Sequence, residues 1–161
     1  MSKQFEPEFR LIHDPPHARA DAYWMTHAGG GTNTLVYRMR TRGAGVPARV
    51  LCPWMPQRES RFCVPFSGTL EQLAARFSEQ LQAERSQQDP QVPFVLIGHS
   101  FGGLLAYRMA CHLADRGMPP HRLVVLSSAA PGVRSHDQQL HHLENEKLLR
   151  RVDQLFGGVP A

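Results

Sequence analysis

The run FVLIGHSFGGLLAYRM, Phe94 to Met109, decides how this chain folds. Phe94 to Ile97 is an apolar run of strand length. Gly98-His99-Ser100-Phe101-Gly102 follows at once, and then Leu105, Ala106, Met109, Ala110 and Leu113 recur at helical spacing. A G-x-S-x-G turn between a strand and a helix takes its serine through so tight a corner that only small neighbours fit at 98 and 102. The hydroxyl then projects at a helix N-terminus, where unpaired N–H groups and the helix dipole favour developing negative charge. Ser100 is the candidate nucleophile, and the backbone N–H of Phe101 is a candidate oxyanion donor. A serine hydroxyl is inert alone; it needs a base to take its proton and an acid to orient that base.

Working outward, Ala22 to Thr26 reads as a strand ending at His27-Ala28-Gly29-Gly30-Gly31. The N–H of Ala28 in that turn is placed to be the second oxyanion donor. Thr32 or Asn33 is expected to cap a short helix through about Arg40. Ala48 to Cys52 is a strand, and Trp54 to Phe66 a long loop. Thr69 and Gln72 fit a capping box for a helix whose stripe is Leu70, Leu73, Ala74, Phe77 and Leu81. Val92 to Ile97 is the next strand. Gly117 and then Pro119-Pro120 stop the helix that follows Ser100. Leu123 to Leu126 is a continuous apolar run, expected to be a strand buried on both faces. Ser135 and Gln138 fit another capping box, and Leu140, Leu143, Leu148, Val152 and Leu155 predict an amphipathic helix. Residues 1–20 read as irregular around Asp14-Pro15-Pro16, with Phe9 to Ile12 a short edge strand.

Strands alternating with helices imply a parallel sheet with right-handed crossovers, an α/β architecture. In such sheets, sites form at the carboxyl ends of the strands. Ala28 and Ser100 both lie at such ends, on one edge of the sheet.

Composition bounds the function. The chain of 161 residues is expected to form one domain, with 42% hydrophobic and 20% charged residues. No apolar run approaches the roughly 20 residues of a spanning helix. The N-terminal MSKQFEPEFR has no apolar segment of a secretory signal, so a cytoplasmic location is expected. Cys52, Cys63 and Cys111 show no C-x-x-C spacing, which points to neither disulfides nor zinc; Cys111 reads as a small buried residue. The net charge is +4, with Arg greatly outnumbering Lys. These charges are scattered, without a basic run carrying interleaved aromatics, so nucleic acid is not the expected partner. A mildly basic surface weakly favours an acidic protein partner. His136, His141 and His142 are spaced five and six apart, which does not share a helix face, so no metal site is expected.

Four stretches resemble the type II thioesterases, α/β-hydrolases that serve non-ribosomal peptide and polyketide assembly lines: THAGGG at 26–31, MPQRESR at 55–61, PFVLIGHSFGGLLAYRMACHL at 93–113 and LVVLSSAAPG at 123–132. The family pattern at the second is approximately L-P-G-R-E-x-R; Arg58, Glu59 and Arg61 match, and Gln57 replaces the usual glycine. Thr26 stands where a proline is common, and Phe101 where Met is frequent. The resemblance covers about residues 20 to 160. It implies hydrolysis of acyl groups from the phosphopantetheine arm of an acyl or peptidyl carrier protein, with Ser100 attacking the thioester, Ala28 and Phe101 holding the oxyanion, and no metal or cofactor.

In α/β-hydrolases the acid and the histidine of the triad follow the serine in the chain. Asp115 and His121 fall on the opposite edge of the sheet. His99 is locked into the corner beside Ser100 and should face away from its hydroxyl. His136 lies on the correct edge, with no acid after a strand in front of it. The resemblance places residues 135–156 at the start of a lid, and the triad acid and histidine later still. The expectation is a partial α/β-hydrolase fold over 1–161, lacking its last strands, final helix, triad Asp and triad His. Low or absent turnover and an aggregation-prone edge at strand 123–128 then follow. A non-catalytic carrier-binding module and a general esterase of the same fold are the alternatives.

Overall fold

The computed structural model describes residues 5–42, 45–130 and 143–156. They form two compact units, Met1–Ser128 and Ala129–Ala161. The first holds β1 (Phe9–His13), β2 (Asp21–Met25), α1 (Thr32–Arg42), β3 (Arg49–Pro53), α2 (Leu70–Arg85), β4 (Phe94–His99), α3 (Phe101–Asp115) and β5 (Arg122–Leu126), with one 3-10 turn at Glu59–Arg61. The second holds α4 (Asn145–Phe156). The capping box at Ser135 and Gln138, and His136, His141 and His142, lie outside the described residues.

The strands order as β1-β3-β2-β4-β5. Strands β2 to β5 run parallel, and β1 pairs antiparallel with β3. This is the sheet of an α/β-hydrolase. Each parallel strand is reached from the one before it in the chain through a helix: α1 leads from β2 to β3, α2 from β3 across β2 to β4, and α3 from β4 to β5. Successive side chains of a strand face opposite ways. On β4, Phe94 and Leu96 are buried towards α2 and α3, while Val95 and Ile97 pack partly buried with Leu35 of α1. The larger core gathers Tyr23, Met25, Phe77, Leu81, Leu105 and Met109, and Phe9 meets Tyr23 and Phe77 edge-on or tilted at 4.9 and 5.3 Å.

Helix α2 begins as its sequence predicts. The Thr69 hydroxyl accepts from the Gln72 N–H at 3.2 Å, and the Gln72 side chain accepts from the Thr69 N–H at 2.9 Å. Helix α3 stops at Gly117, whose φ of +75° is the left-handed conformation a C′ glycine takes. There the Gly117 and Met118 N–H groups donate to the carbonyls of Ala114 and Leu113.

Two expectations are corrected. The run Leu123–Leu126 is a strand, but it is not buried on both faces: β5 is the sheet's edge among the described residues, and Leu123, Val124 and Leu126 are exposed. A purely apolar run reports composition, and position in the sheet decides its burial. Cys111 is half-buried rather than buried, because the inner stripe of α3 is carried by Leu105, Ala106, Met109 and Leu113.

A charged network sits in the first unit's interior. Asp21, fully buried at the start of β2, accepts a forked pair of hydrogen bonds from Arg49 at 2.7 and 2.8 Å and a third from Arg85 at 2.8 Å. Arg85 also donates to the Val92 carbonyl and the Gln88 side chain. This network ties β2, β3 and α2 together at the end of the sheet opposite Ser100.

Candidate active site

Ser100 joins β4 to α3 with φ 55° and ψ −120°. Such a conformation is costly for a side-chain-bearing residue and persists only where its surroundings over-determine it. The surroundings are visible. The Ser100 N–H donates to the Leu126 carbonyl at 2.8 Å, tying the corner to β5, and the Gly103 N–H donates to the Ser100 carbonyl at 2.8 Å. A Cβ at Gly98 would lie 2.2 Å from the Gly102 carbonyl oxygen, and one at Gly102 would lie 2.2 Å from the Met25 carbonyl oxygen. Both glycines of G-x-S-x-G are therefore required by backbone contact. Ser100 itself is half-buried.

The turn after β2 stands on the same edge. The Gly30 N–H donates to the His27 carbonyl at 2.9 Å, and the His27 Nδ1 accepts from the Gly29 N–H at 3.2 Å. Ala28 is exposed in the middle of this turn. Ala28 and Phe101 line one cleft of about 740 Å3, whose floor is Met55, Leu70 and Leu73 and whose rim includes Gln57 and Arg58. The residues read as oxyanion donors thus meet at one cavity.

The histidines are placed differently. The His99 ring stands edge-on to His27, 5.5 Å between centroids. His112 sits 2.9 Å from the Glu71 carboxylate on the outer side of α2 and α3. His121 immediately precedes β5, where its N–H donates to the Phe94 carbonyl, and Asp115 closes α3; both lie at the far end of the sheet. Among the described residues no side chain caps the α3 N-terminus at Ser100, and no cluster of three metal-ligating side chains occurs. No helix among the described residues is long and apolar enough to cross a membrane.

Sequence reasoning missed what MPQRESR does. Arg58 donates from Nη1 to the carbonyls of His27 at 2.9 Å and Gly30 at 2.7 Å. Partial burial lowers the pKa of its guanidinium, and the neighbouring Glu59 acts in the opposite direction. Glu59 accepts from the Asn33 N–H at 2.7 Å and from the Thr32 hydroxyl. The cap of α1 therefore comes from a distant carboxylate, in place of the expected local cap by Thr32 or Asn33. A carboxylate there also suits the positive end of the helix dipole. Gln57 and Glu59 have φ of 57° and 49°, so the family glycine at 57 matches a left-handed position that Gln57 occupies here. Arg61 donates to the carbonyls of Glu6 at 2.7 Å and Trp54 at 3.0 Å and lies 4.0 Å over the Trp54 ring. The only prior signal for these roles was the resemblance of the motif.

A mostly parallel sheet with a strained serine between β4 and the next helix defines an α/β-hydrolase arrangement. Residues 23–161 match the family described as the thioesterase domain, and the chain belongs to that family. It is 32% identical over 150 residues to the AMB antimetabolite synthetase AmbE of Pseudomonas aeruginosa, covering 91% of this chain and 6% of the synthetase. Among solved structures, RedJ, a thioesterase from the prodiginine biosynthetic pathway in Streptomyces coelicolor, is 32% identical with a TM-score of 0.69, covering 89% of this chain and 52% of RedJ. YbtT, a type II thioesterase from the yersiniabactin pathway, shares the fold at a TM-score of 0.77 and 22% identity, covering 94% of this chain and 59% of YbtT. The chain thus spans less than two thirds of the length of each.

Proposed function

We propose that this chain carries the nucleophile and oxyanion half of a thioesterase that removes acyl groups from the phosphopantetheine arm of a carrier protein in non-ribosomal peptide or polyketide synthesis. The observation that carries the reading is Ser100 at φ 55°, on the corner between β4 and α3, beside the cleft that Ala28 and Phe101 line. The Ser100 oxygen attacks the thioester carbonyl carbon, and the N–H groups of Ala28 and Phe101 take up the charge on the carbonyl oxygen. The C–S bond breaks, the pantetheine sulfur leaves as a thiol, and water then releases the acyl group as a carboxylic acid. The three thiols are free, which suits a reducing, cytoplasmic setting.

A base is needed at both steps. His99 faces His27, His112 faces Glu71, and His121 stands at the other end of the sheet. With these three histidines engaged elsewhere, the turnover expected from the described residues is small. The test is acyl-pantetheine hydrolysis with added imidazole as a free base, using Ser100→Ala in parallel to subtract the uncatalysed reaction. A rate that rises more steeply with imidazole in the wild type than in the variant supports the reading. Identical rates at every imidazole concentration would remove Ser100 as nucleophile. Activity on oxygen esters but not on carrier-bound thioesters would replace thioesterase by esterase.

A further inference from the structure

The loop after β3 holds the turn after β2 at two successive points. Arg58 Nη1 bonds the carbonyls of His27 and Gly30, which bracket Ala28. Glu59 bonds Thr32 and Asn33, where α1 begins. The fit is close: a Cβ at Gly31 would lie 2.4 Å from the Glu59 carboxylate. The loop is itself held, since the Gln57 N–H donates to the Arg61 carbonyl at 3.0 Å and Arg61 reaches back to Glu6 and Trp54. Two non-glycine residues at positive φ, Gln57 and Glu59, flank Arg58. The surrounding contacts hold that strain in place.

The peptide bond turns this brace into a directional device. The carbonyl of His27 and the N–H of Ala28 belong to one planar trans unit, so they point in opposite directions. The His27 oxygen accepts from both Arg58 Nη1 and the Gly30 N–H. Fixing that oxygen fixes the Ala28 N–H on the side away from Arg58. A cation on the oxygen also polarises the peptide and strengthens its N–H as a donor.

We propose that Arg58 is a positioning residue: it locks the His27–Ala28 peptide so that the Ala28 N–H is pre-aimed at the thioester oxyanion. This rests on the reading of Ser100 as nucleophile, and touches no reacting atom directly. An oxyanion donor accelerates reaction only if it is aimed before charge develops, because reorientation during the reaction costs what the contact returns.

The experiment compares wild type, Arg58→Met, Arg58→Lys and the control Arg116→Met, whose guanidinium bonds the His112 carbonyl at the far end of α3. Two quantities are read: amide hydrogen exchange over residues 26–33, and the rate at which an alkyl fluorophosphonate modifies Ser100 with imidazole supplied as a free base, followed by intact mass. Arg58→Met is expected to speed exchange in 26–33, to slow labelling at least tenfold, and to keep the exchange of β4 and α2 unchanged. Arg58→Lys should recover part of the labelling rate, and Arg116→Met should match wild type in both. Unchanged exchange over 26–33 in Arg58→Met overturns the proposal, as does wild-type labelling by that variant. If wild type leaves Ser100 unlabelled even with imidazole supplied as the base, the nucleophile reading falls; the exchange contrast then still decides whether Arg58 braces the turn.

Discussion

Gly102→Ala should destabilise the protein through one backbone collision. The added Cβ would sit 2.2 Å from the Met25 carbonyl oxygen and 2.6 Å from that of Thr26. Met25 ends β2, a central strand, and Thr26 follows it; both obstacles are backbone, so no side chain can swing aside. An ordinary carbon–oxygen contact is longer by about 1 Å, so the first turn of α3 must retreat from β2 by that order. Overpacking of this kind costs about 1–3 kcal/mol, and an obstacle made of backbone argues for the upper half. Alanine's better helix propensity returns up to about 1 kcal/mol. The net expectation is a loss of about 1–2 kcal/mol, a five- to thirtyfold fall in the folded-to-unfolded ratio. Urea unfolding followed by far-ultraviolet circular dichroism reads this as a lower midpoint at constant slope. Gly103→Ala is the comparison: its Cβ would meet the Val125 and Ser128 side chains at 2.9 and 3.0 Å, which can adjust, so it should cost less. A Gly102→Ala midpoint equal to wild type, or a greater loss for Gly103→Ala, would refute the packing argument.

Asp21→Asn should cost about 3 kcal/mol or more in the same assay, since it removes the charge that faces Arg85 in the interior; a loss under about 1 kcal/mol would show that the network relaxes freely. Thiol titration at pH 8 should find Cys63 reactive in the native protein and Cys52 silent until unfolding, because burial pushes the Cys52 thiol up to about 12 while Cys63 is exposed. Prompt native labelling of Cys52 would contradict that burial. Burial raises the pKa of Glu84 above the ordinary carboxylate value, so its charged form burdens the folded state as pH rises through the raised pKa, and the burden is absent below the unfolded pKa. Glu84→Gln should therefore stabilise more at pH 7 than at pH 4, as measured by paired urea titrations; a larger gain at pH 4 would reverse the assignment.

Much of the site's frame was readable in the chain. The apolar run, the G-x-S-x-G turn and the helical stripe after it specify strand, corner and helix because each is a local pattern with its own period. The capping box at Thr69 and Gln72 and the stop at Gly117 were legible for the same reason. Ala28 and Phe101 could be paired because parallel strands place their carboxyl ends on one edge, whatever the side chains between them.

Contacts between residues far apart in sequence were decided by the tertiary structure alone. Arg85 is the last residue of α2, beyond its apolar stripe, yet it is buried against Asp21. Glu59 reads as a loop residue, yet it caps α1 from 26 positions away along the chain. Arg58 reads as a motif match, yet its use is to hold two carbonyls of another loop. Periodicity records which residues favour a face and where an element starts. It holds no information on which distant element fills that face, because that choice is made by the packing of the whole sheet and its helices.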